Sequence, residues 1–131
     1  MKTRAGRIYD DVTTDDGAAR VLVDRLWPRG VSKDRAALDE WCKSVAPSPE
    51  LRKWYGHAPE KFAEFRRRYE AELGGGEQAE ALAHLRELAR SRPLLLLTAS
   101  KDVAISEAAV LAEVIGVANV SRRGPGDGAQ T

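Results

Sequence analysis

Two short segments of the chain begin with consecutive apolar residues, the pattern of strands that are buried on both faces. The first is Val21–Leu26, which ends at the break Trp27-Pro28, and the second is Pro93–Ala99. Apolar runs of this length, bounded by turn residues, are typical of strands in a parallel sheet. Arg7–Tyr9 is a third segment with β propensity, and Val117–Val120 is a candidate for a further short strand.

Apolar residues at helical spacing predict helices between these strands. Ser32 and Ser48 are placed to cap two of the helices, and Ser100 or Asp102 is placed to cap the last one. The predicted helices are Ser32–Val45, a short helix after Ser48, Pro59–Leu73, Glu77–Ser91 and Val103–Ile115. The apolar stripe of the first predicted helix consists of Leu38, Trp41, Cys42 and Val45.

Strands that alternate with helices predict an α/β fold, because a crossover through a helix places successive strands side by side in the same direction. At 131 residues the chain fits one domain. We expect a single domain over residues 1–120, with a short, mostly parallel sheet flanked by about five helices. The glycine-rich residues 121–131 are expected to form a disordered tail.

Charge and composition narrow the classes of function. The 21 basic and 20 acidic residues nearly cancel, so no overall field draws the chain to nucleic acid or to an anionic membrane. No apolar segment follows the N-terminal residues, and uninterrupted apolar runs such as Leu94–Leu97 are too short to span a bilayer. We therefore expect a cytoplasmic protein without a membrane partner. Its oligomeric state stays open.

A cluster of cations is expected where the two buried strands end. If these strands are parallel neighbours, their C-terminal ends bring Arg25, Arg29 and Lys33 close to Ser100 and Lys101. In open α/β sheets this edge is where ligands usually bind. Guanidinium groups match carboxylate and phosphate oxygens, and lysine adds a point charge. The sequence therefore predicts a binding site for a small phosphate- or carboxylate-bearing ligand.

A purely structural role of the same loop is the alternative. Arg25 would then pair with Asp24 or with a carboxylate of a helix, and Arg29 would stack on the face of a tryptophan. The loop would in that case be a clamp that holds the fold together, and the protein a structural or protein-interaction domain. The residues alone leave both interpretations open.

Acid–base chemistry has three candidate residues. His57, in a turn beside Trp54, is the natural general acid or base, although a histidine that ties two helices together is the more common case. Asp24 and Asp102 could act as acid and base, but we favour their roles as an arginine partner and a helix cap. Cys42 lies on an apolar stripe and is expected to be a buried, unreactive thiol.

The sequence contains no Walker A loop, no Gly-x-Ser-x-Gly elbow and no His-Glu-x-x-His motif. We therefore expect no cofactor and no metal. The run Arg66-Arg67-Arg68 suggests nucleic-acid binding, which is the second functional alternative. Acidic residues four positions away, such as Glu64 and Glu70, instead predict an ion-paired solvent face.

The segment Val21–Gly30 resembles the YeaO-like bacterial proteins, the domain-of-unknown-function family numbered 488. The resemblance extends through Leu38–Trp41, Ala46–Ser48, Glu50–Trp54 and later segments, and covers about residues 6 to 115. It implies a small cytoplasmic α/β domain whose biochemical role is not established. The positions that carry the family's motif are Asp24, Arg25, Trp27, Pro28, Arg29, Gly30 and Lys101, with Trp41 and Trp54 in the flanking segments.

The resemblance has one departure that bears on mechanism. Members of the family often carry an Asn-His pair early in the last helix, where this chain has Ser106 and Glu107. A mechanism that relies on that histidine is therefore not expected in this chain.

Overall fold

The computed structural model describes residues 3–10 and 17–123. Within these residues four strands form one sheet in the order β1-β4-β2-β3, and all of its neighbouring pairs are parallel. The strands are β1 Thr3–Arg7, β2 Ala19–Leu22, β3 Glu40–Trp41 and β4 Leu94–Thr98. The predicted α/β fold is confirmed, and the two apolar segments are parallel neighbours.

Strand β4 lies at the centre of the domain, and all five of its residues are buried. Its side chains alternate between the two faces of the sheet. Leu94 and Leu96 belong to the larger apolar core, which the helices cover, whereas Leu95 and Leu97 belong to a smaller core on the other face. Burial on both faces explains why the strand has a continuous apolar sequence.

Five α-helices accompany the sheet in the described residues, in agreement with the prediction of about five, and three of them lie within a few residues of their predicted bounds. Ser48 caps one of these, where its hydroxyl oxygen accepts a hydrogen bond of 3.1 Å from the Leu51 amide. The helices are α1 Lys33–Ala36, α2 Pro49–Tyr55, α3 Phe62–Glu72, α4 Gly76–Ala89 and α5 Glu107–Arg123. Short 3-10 turns cover Lys43–Val45, Pro59–Lys61 and Val103–Ile105.

The predicted helix Ser32–Val45 is wrong. Ser32 does cap a helix, but α1 ends at Ala36, and Ala37 adopts a left-handed conformation with φ 49°. The chain then forms β3, which pairs with β2. The four apolar residues do not share one face: Leu38 and Trp41 pack against the smaller core, and Cys42 and Val45 belong to the larger one.

The C-terminal helix also differs from its prediction. Asp102 caps the 3-10 turn at Val103–Ile105, and the hydroxyl oxygen of Ser106 accepts from the Ala109 amide at the start of α5. The helix continues past Gly116 to Arg123, so the strand predicted at Val117–Val120 is wrong. One glycine costs a helix only about 1 kcal/mol, which does not end it.

Other strand boundaries shift by a few residues. The first strand, β1, overlaps the predicted Arg7–Tyr9 only at Arg7, and β2 ends at Leu22, before the predicted Leu26. Of the tail predicted over residues 121–131, the first three residues belong to α5 and residues 124–131 lie outside the described residues. In the described part of the chain no helix has the length and apolar character needed to cross a membrane.

Candidate functional site

A cleft of about 720 Å³ opens at the C-terminal edge of the sheet. One wall is the loop that follows β2, and the opposite wall is the segment from β4 to α5. The turn between α2 and α3 closes one side with Tyr55 and His57. The cleft therefore lies where ligands bind in open α/β sheets, outside the carboxyl ends of the strands.

Cationic side chains from three parts of the chain line this cleft. Arg25 and Arg29 follow β2, Arg52 belongs to α2, and Lys101 follows β4 beside Ser100. None of these four cations forms an ion pair with a carboxylate in the described residues. Their charges therefore remain available to an anion in the cleft. The parallel pairing of β2 and β4 is what brings the two ends of this cluster together.

The Arg25 guanidinium is held by the main chain. Its Nη2 donates to the carbonyl oxygens of Ala46 and Pro47 at 3.1 and 3.3 Å. Its Nε is buried and has no hydrogen-bond partner among the described residues. The alternative in which Arg25 pairs with Asp24 or a helix carboxylate is therefore wrong. Neutral carbonyl partners fix the group without cancelling its charge.

The loop that carries Arg29 is fixed by aromatic residues. The Trp27 indole donates from Nε1 to the Val31 carbonyl at 2.6 Å, and its ring meets that of Trp41 edge-on with centroids 5.3 Å apart. The Tyr9 hydroxyl donates to the Arg29 carbonyl at 2.8 Å. Gly30 supplies a positive φ of 78° in the turn. The Arg29 side chain stacks on no tryptophan in the part that the structure describes.

Other predicted site residues occupy different positions. Lys33 is exposed on α1 and does not line the cleft. His57 is exposed at the mouth of the cleft with φ 58°, and its ring centroid lies 5.9 Å from that of Tyr55. Asp102 lines the cleft and caps the following 3-10 turn. Their roles in catalysis or binding remain predictions.

Two carboxyl groups meet inside the cleft. Asp24 accepts through Oδ1 from the Thr98 hydroxyl at 2.8 Å and through Oδ2 from the Ala99 amide at 2.7 Å. The Thr98 hydroxyl also lies 3.4 Å from Oε2 of Glu107. Asp24 thus ties the end of β2 to the end of β4, and Glu107 joins the same hydrogen-bond cluster from the first turn of α5.

The pKa of Glu107 is raised well above its ordinary value. Burial is the largest cause, and a hydrogen bond to Asp24 and the charge of that carboxylate act in the same direction. Two carboxylates in contact cannot both ionise easily, so Glu107 retains its proton to higher pH than an exposed glutamate does. The pair therefore offers a ligand both an O–H donor and carboxylate acceptors.

Burial and the same acidic residues act on two tyrosines nearby. The Tyr55 hydroxyl donates to the Ile105 carbonyl at 2.7 Å, and burial, then Asp102 and Glu107, raise its pKa. The Tyr69 hydroxyl donates to the Val45 carbonyl at 2.5 Å, and burial raises its pKa well above the ordinary value. Both phenols are therefore neutral hydrogen-bond donors that hold the walls of the cleft.

Glu107 and Arg52 were missed as site residues. Arg52 lies on the polar side of a short helix, where its charge gives no signal in the sequence. Glu107 stands at the position where the resemblance breaks down, next to Ser106. The departure from the family's pattern at this position indicates the loss of a histidine. It also indicates that the residue now at this position, Glu107, faces a site.

Two predicted features outside the cleft are confirmed. Cys42 is buried, and burial followed by the charge of Glu40 raises the pKa of its thiol to about 11, against the effect of a backbone hydrogen bond. The thiol is therefore protonated and unreactive at neutral pH.

The arginine run is also paired as predicted. Arg68 Nε lies 2.8 Å from Glu64, Arg66 Nε lies 3.2 Å from Glu70, and Arg67 pairs with Glu64. Nowhere in residues 3–10 and 17–123 do three or more His, Cys, Asp or Glu side chains converge as a metal site would require.

Comparisons with known proteins agree with the resemblance found in the sequence. A family model, DUF488-N3i, described as "Inactive DUF488-N3 subclade", matches residues 2–129. An uncharacterised protein of Mycobacterium tuberculosis is 49% identical over 114 residues, which cover 87% of this chain and 93% of that protein. The uncharacterised protein YeaO of Escherichia coli is 43% identical over 113 residues, or 86% and 96% of the two chains. No solved structure matches.

Proposed function

Because the chain belongs to the DUF488-N3i family of YeaO-like proteins, described as an inactive subclade, we propose that it binds a small anionic ligand without converting it. The ligand carries a phosphate or carboxylate group and occupies the cleft at the C-terminal edge of the sheet. The observation that carries this proposal is the set of cations described above, which line the cleft and have no carboxylate partners among the described residues.

The geometry of Arg25 explains why an anion is the expected ligand. A guanidinium has five N–H donors in a planar fork, and carboxylate and phosphate oxygens fit that fork. Two main-chain carbonyls engage only Nη2 of Arg25, and its Nε is buried. Nη1 of Arg25 forms no hydrogen bond among the described residues and so can donate to an anion in the cleft.

Binding is favoured over turnover because residues 3–10 and 17–123 place no activated nucleophile at the cleft. Cys42 is buried outside the cleft with a raised pKa, and the Ser100 side chain at the cleft has no base among its hydrogen-bond partners in the described residues. Glu107 stands where the resemblance leads one to expect a histidine, and burial and contact with Asp24 raise its pKa.

Thermal unfolding with added anions tests the proposal. Sodium phosphate and sodium succinate are compared with sodium chloride at equal ionic strength, so that general salt effects cancel. We expect at least one of the two anions to raise the melting temperature, because a ligand that binds the folded chain stabilises it. Isothermal titration with the same anion then gives its dissociation constant.

Neighbouring residues on α2 provide a matched pair of variants. Arg52→Ala removes a cation from the cleft, whereas Lys53→Ala removes an exposed cation from the same helix that does not line it. Loss of one charge-assisted hydrogen bond should weaken anion binding about tenfold in Arg52→Ala. Lys53→Ala should bind as the unaltered chain does.

The double variant Arg29→Ala with Lys101→Ala should abolish the anion effect. If neither anion stabilises the unaltered chain, the structural-domain alternative is favoured. If the anion effect survives in both Arg52→Ala and the double variant, the site lies elsewhere.

A further inference from the structure

The cleft is not uniformly positive, and this limits which anions fit it. Cations from the loop after β2, from α2 and from the segment after β4 line it together with the Asp24–Glu107 pair. The pair stands where β4 passes into α5, and Asp24 is fixed there by the Thr98 hydroxyl and the Ala99 amide. A ligand that fills the cleft is therefore within reach of both the cations and the carboxyl pair.

The carboxyl pair selects the chemical group that contacts it. An ionised carboxylate accepts hydrogen bonds, and a protonated one also donates. A phosphate or carboxylate placed directly against the pair would be repelled by its negative charge. A hydroxyl group is neutral, donates once and accepts twice, and so matches a pair that holds one proton.

The dimensions of the cleft point to a ligand larger than inorganic phosphate. Its volume of about 720 Å³ lies in the range of sites for small organic molecules, roughly 300–1,000 Å³. The half-buried rings of Tyr9 and Trp27 contribute apolar surface to the lining. Such surface packs against the carbon skeleton of an organic ligand, which a simple anion lacks.

We infer that the ligand is a hydroxylated organic phosphate of the sugar-phosphate class, with its phosphate on Arg25, Arg29, Arg52 and Lys101 and its hydroxyl groups on Asp24 and Glu107. This inference rests on the proposed anion site and specifies the remainder of the ligand. It adds Asp24 and Glu107 to the binding residues and assigns them contacts with hydroxyl groups.

Two phosphate monoesters of equal length test the inference. Glycerol 1-phosphate and propyl phosphate each carry three carbons and one phosphate, and they differ by two hydroxyl groups. Isothermal titration of the full chain should give an affinity for glycerol 1-phosphate about tenfold higher, because two net hydrogen bonds add to the same anion contact. Ribose 5-phosphate, with more hydroxyl groups, should bind at least as well as glycerol 1-phosphate.

Substitution of Glu107 tests whether this residue causes the preference for glycerol 1-phosphate over propyl phosphate. Glu107→Met keeps the length of the side chain but removes both its donor and its acceptor. The ratio of the two affinities should fall from about ten to about three in this variant, because Asp24 still accepts a hydrogen bond from one hydroxyl group. If Glu107→Met does not fold, the comparison of the two esters on the unaltered chain still decides the matter.

The outcomes separate this inference from the function on which it rests. Equal affinity for the two esters overturns the inference and leaves the anion site intact. Tighter binding of ethanolamine phosphate than of glycerol 1-phosphate also overturns it, because the carboxyl pair would then select an ammonium group. Failure of every phosphate ester and of inorganic phosphate to bind overturns both.

Discussion

The Glu107 carboxyl lies in surroundings that favour its protonated form. The neighbouring Asp24 carboxylate faces it, Thr98 contacts both carboxyl groups, and the neutral phenols of Tyr55 and Tyr69 lie close enough to be affected by its charge. An unfolded chain releases this proton near the ordinary pKa of 4.5, whereas the folded chain retains it to higher pH. Folding and proton binding are therefore linked at this residue.

The linkage gives a pH-dependent stability with a definite sign. Below pH 4.5 the folded and the unfolded chain both hold the proton, so Glu107 contributes no pH dependence. Above pH 4.5 the unfolded chain loses the proton first. The free energy of unfolding therefore falls with rising pH until the pH passes the raised pKa of the folded chain. Glu107→Gln cannot lose a proton. We expect the variant to gain melting temperature relative to the unaltered chain as pH rises to about 8.

Melting curves of the two chains at a series of pH values check this expectation. Their difference reports the coupled Asp24–Glu107 pair, because the titratable groups away from this pair are common to both chains. A difference in melting temperature that stays constant over the whole series would show that Glu107 has an ordinary pKa.

At the scale of elements, the start of α2 is braced by side chains from two other helices. Glu72 of α3 accepts from the Ser48 amide at 2.9 Å and from its hydroxyl at 2.6 Å, while the Ser48 oxygen accepts from the Leu51 amide. Gln78 of α4 donates to Glu72 and to the Ala46 carbonyl, each at 2.9 Å. The Ala46 carbonyl also accepts from Arg25, so this brace extends to the cleft.

Ser48→Ala tests the brace. The substitution removes the cap of α2 and leaves part of the Glu72 carboxylate without a donor, so we expect a loss of about 1–2 kcal/mol in the free energy of unfolding. Ser32→Ala is the matched control, because it caps the four-residue, largely exposed α1. Denaturant titration of both variants measures the difference. Equal losses in the two variants would mean that the contacts with Glu72 contribute nothing.

Elements whose stability comes from local pattern were predictable from the sequence, and those made by distant contacts were not. The run Leu94–Leu97 and the aromatic stripe of α3 have the periodicity of the elements they form. Residues 38–45 also show helical spacing, yet the Trp41 indole donates to the Asp24 carbonyl at 2.7 Å and the Arg20 amide donates to Asp39. Such contacts across about 17–19 residues override a local preference.

The candidate site shows the same difference between features that the sequence pattern predicts and features that depend on distant contacts. Arg25, Arg29, Ser100 and Lys101 could be placed together because parallel strands end at a common edge. The pairing of Asp24 with Glu107 could not, because it depends on where α5 begins, and Ser106, not Asp102, caps that helix. A shift of about four residues in a helix start changes which side chain enters the cleft.

At the scale of the whole molecule, the basic residues differ in whether an acidic residue pairs with them, although basic and acidic residues are nearly equal in number. The formal net charge is only +1. Arg66, Arg67 and Arg68 are paired with Glu64, Glu70 and Glu113 on the solvent face of the helices. The cations of the cleft lie in a concave site beside two carboxyl groups. In the part of the chain that the structure describes, these cations therefore fall into two sets, the arginines paired with glutamates and the cations that line the cleft.

This distribution predicts weak binding to nucleic acid. A duplex needs cations that follow its phosphates over a surface, and each cation so used makes affinity fall more steeply with salt. When nucleic acid binds, an arginine that is already paired with a glutamate exchanges that carboxylate for a phosphate, so it contributes little binding free energy. Fluorescence anisotropy with a labelled duplex of about 20 base pairs should show no saturable binding at about 0.15 M salt.

Arg67→Glu should behave as the unaltered chain does. Saturable binding that weakens both in Arg67→Glu and with added salt would instead establish the arginine run as a nucleic-acid surface.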